Sequence, residues 1–484
     1  MTNGRPSALT RTLQRAVNVE PHEVRALLLS CAYHFFILSA YYILRPIRDE
    51  MGVAGGVENL PWLFTGTLVT MLVAHPPFAA LVARLPRTRF IAYTYRFFMA
   101  NLVIFFVLLK LAPPRTDVWV GRVFFVWVSV FNLFVISIFW AFMTDLFANE
   151  QGKRLFGFIA LGGTLGAIIG AAITAFLAEI LGPVQLMLIS IALLELAVRC
   201  TRWLSRHADE LRRDERRLFG ETEGLAAAGP AVGPMLTQER MKEEEVRRRE
   251  AETGGTPPGG DETPIGGGVL AGVDHVLRSP YLLGICAYML LYTIASTFLY
   301  FQQAEIVDRN FIDRAMRTAF FARIDLAVNV LAIFTQAFLT GRIVKWLGVA
   351  VTLTLLPAVC VVGFTTLGFM PVIAVLVVFQ TLRRAGNYAV ARPTREVLYT
   401  VVTREDRYKA KNFIDTFVYR GGDQIGAWSY ALMSWLGLTM AAIAFVAAPL
   451  AAIWLVVGYW LGREQAQRAE SLAELPRSTA VAVG

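Results

Sequence analysis

The sequence predicts an all-α integral membrane protein of twelve transmembrane helices, arranged as two six-helix pseudo-repeats. The chain has 484 residues, of which 56% are hydrophobic and only 17% are charged, so it is too apolar for an ordinary soluble protein. Apolar runs long enough to cross about 30 Å of hydrocarbon recur along it. A polar interval separates these runs into two sets, and the two sets share sequence features.

Six apolar runs precede the polar interval and six follow it. The predicted helices of the first set span 25–44, 60–82, 90–111, 119–147, 155–181 and 183–204. Those of the second set span 281–304, 318–346, 348–369, 371–399, 411–436 and 438–461. Several runs are longer than a helix that crosses the bilayer perpendicular to its plane, so we expect helices that tilt or extend past the bilayer. The sequence therefore predicts an N-terminal bundle over residues 25–205 and a C-terminal bundle over residues 281–462.

The segments outside the bundles are predicted to be cytoplasmic. Residues 1–24 contain basic residues but no apolar core, so they do not form a cleaved secretory signal. Residues 206–280 hold a mixed-charge run and a Gly/Pro-rich stretch, Thr253–Gly268, which is typical of a partly disordered linker. Residues 463–484 form a predicted tail.

Basic residues concentrate in alternate loops of the predicted bundles. Examples are Arg87 and Arg89 after the second span, and Arg404 and Arg407 after the tenth. By the positive-inside rule, this pattern places both termini in the cytoplasm and the protein in the bacterial cytoplasmic (inner) membrane. The net charge of +9 follows from the same bias and from attraction to anionic membrane lipids, so nucleic-acid binding is not indicated.

No sequence pattern indicates a metal site, a cofactor or an enzyme. The four cysteines are far apart and show neither a CxxC motif nor a Cys/His spacing. The chain also lacks HExxH and GxSxG motifs and a pair of aspartates one helical turn apart. We therefore predict a protein that is not an enzyme and needs no cofactor.

The two sets of helices share residues when the chain is aligned with itself at an offset of 255 residues. The matched pairs are Glu150 with Glu405, Arg154 with Lys409, Phe158 with Phe413, Ile159 with Ile414, and Gly166 with Gly421. Both copies also carry glycines spaced by four residues, which predicts close helix packing. These are Gly162, Gly166 and Gly170, and Gly422 and Gly426. Parallel six-helix repeats are the layout of the major facilitator fold, whose halves rock about a site at the membrane midplane.

Arg383 and Arg384 lie side by side inside the tenth predicted span. An arginine at the membrane midplane is unfavourable by about 2.5–3.5 kcal/mol, so such residues face a bundle interior or a hydrated cavity. No acidic residue lies within a helical turn of either one. The pair therefore predicts a buried site for an anion.

Other spans carry polar residues at helical spacing, where about 100° per residue determines the helix face. The first span has such a stripe at His34, Tyr41, Arg45, Arg48 and Asp49. The tenth has one at Gln380, Arg384, Asn387, Tyr388 and Arg395. Further polar positions are Tyr292 on the seventh span, Asp325 on the eighth, and Asp415 and Asp423 on the eleventh. Each stripe faces either a hydrated cavity or a buried polar network that only orients helices. For His34, the alternative to a place in the cavity is a hydrogen bond between helices.

Three motifs in both halves resemble the bacterial and plastidic ATP/ADP translocase family. They are Tyr41–Asp49, then Ser137–Phe142 leading to Lys153–Phe156, then Arg392–Tyr399 followed by Lys409–Asp415. The resemblance covers most of the membrane part and implies a nucleotide exchanger with major facilitator architecture. Arg48 stands where the family has lysine, and apolar residues near Val128 and Phe298 replace expected acids. Arginine binds phosphate bidentately, so these departures imply an altered substrate and not the loss of anion binding.

The predicted function is secondary active transport of an organic anion, a nucleotide-like or phosphorylated solute, by alternating access and antiport. The groups expected to hold the anion are Arg45, Arg48, Arg383 and Arg384, and those expected to stack on a planar ring are Tyr41, Tyr292 and Tyr388. Polar neighbours in the predicted site are His34, Asp49 and Asn387.

Two alternatives remain open from the sequence. The first is a proton-coupled symporter of another solute, for which the coupling candidates are Asp325, Asp415 and Asp423. The second is a lipid-handling facilitator, in which apolar side chains would dominate the cavity and the polar stripes would open sideways between helices.

Overall fold

The computed structural model describes residues 19–20, 23–84, 87–111, 113–147, 149–227, 276–277, 279–403, 410–411 and 413–474. Most of the predicted N-terminal segment and linker, the end of the predicted tail, and Arg404 and Arg407 lie outside these residues. All regular secondary structure in the described residues is helical. The predicted all-α class is confirmed.

The described residues of the N-terminal half form six α-helices. They are α1 (Val24–Ala54), α2 (Leu60–Arg84), α3 (Arg87–Leu111), α4 (Pro114–Leu146), α5 (Asn149–Leu181) and α6 (Pro183–Ala227). A short 3₁₀ turn, Val57–Asn59, connects α1 to α2. Pro114 occupies the start of α4, where its missing N–H removes no hydrogen bond and its fixed φ suits the helix.

The C-terminal half contains seven helical segments in its described residues. They are α7 (Pro280–Asn310), α8 (Arg314–Phe338), α9 (Thr340–Phe369), α10 (Ile373–Gly386), α11 (Arg392–Leu398), α12 (Tyr419–Trp435) and α13 (Met440–Glu474). A π turn, Asn387–Ala391, joins α10 to α11, and a second π turn, Ile414–Val418, precedes α12.

Ten helices in the described residues are long and apolar enough to cross a membrane. The other two predicted crossings are the tenth and eleventh, and each contains a π turn. The tenth crossing consists of α10, the π turn and α11, whereas the eleventh consists of a π turn and α12. With these two interrupted crossings, the described residues agree with the predicted twelve-helix fold.

The glycines spaced by four residues bring α5 against α1. A Cβ atom added to Gly166 would lie 2.3 Å from the carbonyl oxygen of Phe35, and one added to Gly170 would lie 2.4 Å from that of Ser39. The same contact recurs in the C-terminal half, where a Cβ on Gly426 would lie 2.9 Å from the Cβ of Thr297 on α7. Only residues without side chains permit such close helix packing. The α1–α5 and α7–α12 pairs are therefore equivalent contacts in the two halves.

The predicted match of Gly166 with Gly421 is wrong by one residue. A Cβ on Gly421 would meet no atom within 4 Å, whereas one on Gly422 would lie 1.8 Å from Oγ1 of Thr293. The reason is the π turn Ile414–Val418, because a π turn adds one residue to a helix. Gly422 is consequently the structural counterpart of Gly166.

The two halves meet along four pairs of helices in the described residues. α2 packs against α12, α5 against α8, and α1 against both α7 and α8. The chain divides into two units, and the first, Met1–Leu204 with Gly272–Gly484, contains the helices of both halves except the end of α6 after Leu204. A cavity lies in the first unit, between α1, α2 and α4 on one side and α7, α10 and α12 on the other.

We predict that Gly422→Leu destabilises the protein and that Gly421→Leu does not. The leucine at position 422 would collide with α7, and overpacking of this kind costs about 1–3 kcal/mol. The thermal unfolding midpoint, Tm, of the purified variants measures the difference. Equal Tm values for the two variants would contradict the one-residue shift caused by the π turn.

Candidate functional site

The cavity between the halves has a volume of about 520 Å³. This lies within the range of about 300–1,000 Å³ that is usual for small-molecule sites. Its lining has 27 residues, contributed by both halves. The cavity therefore has the size and the position of a site that two rocking halves could share.

Six arginines line the cavity: Arg45, Arg48, Arg383, Arg384, Arg392 and Arg420. The only carboxylate in the described lining is that of Asp423, while the carboxylates of Asp49 and Asp325 lie behind the arginines. Among the described residues, six guanidinium groups thus face three carboxylates, which leaves a formal surplus of three positive charges. A cavity with walls of low dielectric and one sign of charge attracts ions of the opposite sign.

Arg383 is buried, with 5% of its surface exposed, and pairs with no carboxylate of the described residues. Its Nε and Nη2 donate to Oε1 of Gln380 at 3.2 and 3.0 Å, and its Nη1 donates to Oγ of Ser296 at 3.0 Å. Gln380 is in turn hydrogen-bonded to Gln303. The guanidinium is therefore held in place by neutral groups, and its charge is not neutralised.

Arg384 and Arg45 share one carboxylate, that of Asp325. Oδ1 of Asp325 lies 2.7 Å from Arg384 and 3.2 Å from Arg45. The sequence spacing excluded only acidic partners for Arg384 on its own helix, whereas Asp325 comes from α8. This buried group joins α1 of the N-terminal half to α8 and α10 of the C-terminal half. Because Asp325 carries one charge against two, the triad remains cationic.

Arg48 forms an ion pair with its neighbour Asp49 at 2.6 Å, and its guanidinium lies 5.2 Å from the ring centroid of Phe125. Asp49 also accepts a hydrogen bond from the hydroxyl of Tyr300, on α7, at 3.1 Å. Asp49 therefore orients Arg48 towards the cavity and links the halves, but it is not part of the lining.

The π turn Asn387–Ala391 determines which residues of the tenth crossing face the cavity. At about 100° per residue, Arg392 would lie about 120° from Gln380 around a regular helix, and the added residue reduces this angle to about 20°. Arg392 therefore lines the cavity, although the sequence pattern selected Arg395. Arg395 lies outside the lining and donates to the sulfur of Met289 at 2.7 Å.

The predicted Tyr41, Tyr292, Tyr388 and Asn387 all line the cavity. Tyr419, which shares the polar stripe of the eleventh predicted span with Asp415 and Asp423, lines the cavity too. Two further tyrosines in the lining were not selected from the sequence: Tyr42 and Tyr300. Tyr300 follows Tyr292 by eight residues on α7, so a longer helical stripe would have included it. Tyr292 and Tyr419 lie with their ring centroids 6.3 Å apart.

Two predicted residues lie away from the cavity. Nδ1 of His34 is hydrogen-bonded to the carbonyl oxygen of Ile159 at 3.0 Å, and its ring stacks on Phe139 at 4.2 Å. His34 precedes Arg45 by eleven residues, which is about 16 Å along the helix, so a shared face does not bring the two together. Asp415 lies in the second π turn, 3.9 Å from Arg395. Neither the predicted binding residue His34 nor the coupling candidate Asp415 lines the cavity, and His34 forms the hydrogen bond between helices that the sequence left as its alternative.

Ion pairs join the halves at one end of the bundle, where α1 ends and α8 begins, which we call the Arg314 end. The guanidinium of Arg314 lies 2.9 Å from the carboxylate of Glu50 on α1 and 2.5 Å from that of Asp117 on α4. Arg323 on α8 pairs with Glu179 on α5 at 2.7 Å. These contacts hold the halves together at the Arg314 end.

The sequence model of the Major Facilitator Superfamily matches residues 26–394, which is more than half of the chain. The chain belongs to this superfamily. Solved major facilitator-type structures with the same fold include a POT family transporter in complex with a thioalcohol-conjugated peptide, with a TM-score of 0.57 and 13% identity. It matches 90% of this chain and 96% of its own.

Two further structures also show the fold. A bacterial homologue of the iron transporter ferroportin has a TM-score of 0.58 and 13% identity, over 91% of this chain and 99% of its own. A bacterial homologue of the human lysosomal transporter Spinster has a TM-score of 0.53 and 11% identity, over 93% and 98%. No curated protein matches the chain. The major facilitator membership identifies a membrane transporter and agrees with the prediction that the protein is not an enzyme.

We predict that Asp325→Asn strongly destabilises this major facilitator protein. The change leaves Arg45 and Arg384 without their shared carboxylate, and loss of one partner of a buried ion pair costs about 3–5 kcal/mol. Glu179→Gln is the matched control, because it removes the carboxylate of an exposed pair worth about 0–1 kcal/mol. Measurement of Tm for both variants tests this. An Asp325→Asn variant as stable as the control would show that the triad does not depend on Asp325.

Proposed function

We propose that the protein transports an organic anion, a phosphorylated or nucleotide-like solute, by alternating access. The observation that carries this proposal is Arg383, a buried guanidinium that faces the cavity and whose partners among the described residues are all neutral. A buried charge without a counterion is unfavourable, and an anionic solute would supply the missing charge.

The chemistry of the lining supports a phosphate or carboxylate group as the part that is recognised. Guanidinium groups bind such groups through two parallel hydrogen bonds. Arg45 and Arg48 extend from the N-terminal half and Arg383 and Arg384 from the C-terminal half, so one anion could contact both. The resemblance to the ATP/ADP translocases favours the same class, because its motif residues Arg45, Arg48 and Arg392 line the cavity.

Exchange follows from the same charges. A return step without cargo would bury the surplus positive charge again with no anion present, which raises the barrier for the empty carrier. The contacts of Arg314 with Glu50 and Asp117 would separate each time the cavity opens at the Arg314 end. We infer antiport, and we place both termini in the cytoplasm and the protein in the bacterial inner membrane on the positive-inside pattern.

A lipid cargo is less compatible with this cavity. Only six of the 27 lining residues are aliphatic or phenylalanine, whereas six are arginine. A cavity for acyl chains would be dominated by apolar side chains. Proton-coupled symport remains the second candidate, because Asp423 lines the cavity and its carboxylate lies 3.7 Å from Arg420.

We expect Arg383→Gln to weaken anion binding by about 10- to 100-fold, since a hydrogen bond to a charged group contributes about 1.5–3 kcal/mol. The measurement is a thermal-shift titration of the purified protein with ATP, ADP, glucose 6-phosphate and pyrophosphate. Without ligand, the Arg383→Gln variant should be at least as stable as the wild type, because the substitution removes an uncompensated buried charge.

Arg323→Gln is the control, because Arg323 is exposed and lies away from the cavity. It should bind the anions as the wild type does. A set of anions that stabilises wild type and Arg383→Gln equally would refute the role of Arg383, and the lack of stabilisation by any of them would refute this class of cargo.

Antiport predicts that the anion with the largest thermal shift enters reconstituted vesicles only when they are preloaded with an anion. Radiolabelled uptake into preloaded and empty vesicles, without an ion gradient, measures this. Uptake into empty vesicles that requires an inward proton gradient and is lost in Asp423→Asn would instead establish the symport alternative.

A further inference from the structure

The two walls of the cavity differ in chemistry. Among the described lining residues, 14 come from the C-terminal half, and none of these is aliphatic or phenylalanine. The N-terminal half contributes 13, and six of these are aliphatic or phenylalanine. These six, which we call the apolar wall, are Leu38, Phe64, Leu68, Met71, Phe125 and Ile136.

The positive charge is distributed in the opposite way. Four of the six lining arginines, including Arg383 and Arg384, come from the C-terminal half. The same wall carries the amide and hydroxyl groups that hold Arg383, those of Gln380 and Ser296. One wall can therefore bind an anionic group, and the wall opposite cannot form hydrogen bonds with six of its side chains.

The apolar wall extends along the cavity and is contributed by three helices. Leu38 is on α1, Leu68 and Met71 are on α2, and Ile136 is on α4. Leu68 and Met71 follow at a spacing of three residues, so they share one face of α2. Aliphatic groups that line a hydrated cavity gain free energy when an apolar surface covers them.

We propose that the cargo is an amphipathic anion, with its phosphate or carboxylate group on the arginines of the C-terminal half and an apolar body against the apolar wall. The proposal rests on the anion transport proposed above and specifies its substrate class. A cavity of about 520 Å³ limits the apolar body to a short chain or a ring system, so the substrate is a water-soluble anion and not a membrane lipid.

A homologous series of n-alkyl phosphates tests the proposal on the purified full-length protein. Dissociation constants for inorganic phosphate and for the methyl, ethyl, butyl, hexyl and dodecyl esters are obtained from thermal-shift titrations. Each methylene buried against the wall should lower the dissociation constant about fourfold. The gain should end near the hexyl ester, where the cavity is filled.

Variants assign the two parts of the ligand to the two walls. Leu68→Thr should raise the dissociation constant of hexyl phosphate several-fold and change that of ethyl phosphate less than twofold. Leu72→Thr is the matched control, because Leu72 lies four residues further along α2, is 59% exposed and is not part of the lining. Arg383→Gln should weaken both esters by the same factor.

The outcomes separate this inference from the function on which it rests. Equal dissociation constants for phosphate and all of its esters would contradict the proposed contact between the ligand and the apolar wall. They would leave the proposal of anion transport intact. A dissociation constant that continues to fall up to the dodecyl ester would contradict a water-soluble substrate and indicate a lipid. Failure of phosphate and every ester to bind would count against the proposed function itself.

Discussion

The structure depends on how guanidinium groups are held inside a membrane protein, away from bulk water. Such a charge needs a counterion or a set of oriented dipoles, because the surrounding hydrocarbon offers neither. Asp325 neutralises one of the two charges of Arg45 and Arg384, and the partners of Arg383 in the part of the chain that the structure describes are amide and hydroxyl groups. The described lining of the cavity between the halves therefore carries more cationic than anionic groups, which is the basis of the proposal that it binds an anion.

The same charged groups also connect the halves. Asp325 joins α8 to α1, and Asp49 joins α1 to α7 through Tyr300. An anion that reaches Arg45 or Arg48 competes with these carboxylates for the same donors. The proposed anion binding would consequently link occupancy of the cavity to contact between the halves, because a ligand shifts a conformational equilibrium by its different affinity for the two states.

Departures from regular helix geometry occur in two crossings that line the cavity. The π turn at Asn387–Ala391 rotates the following residues and brings Arg392 onto the cavity face. The π turn at Ile414–Val418 shifts the glycines of α12 by one position, so Gly422 and not Gly421 packs against α7. π turns are commonly found at functional sites, and here each one changes the face that its helix presents.

The sequence by itself determined the membrane setting, the positions of the crossings, and the arginines and tyrosines of the polar stripes. It could do so because a bilayer forces every crossing to be helical and apolar, which makes both the period and the exceptions visible. The tertiary structure decided the rest. Helical periodicity indicates a face but not a distance between helices, so only the packed structure paired Arg384 with Asp325 and placed His34 against Ile159. It also revealed the residue that each π turn adds to its helix. The contrast between the apolar and cationic walls was visible only there as well, because several helices together form each wall.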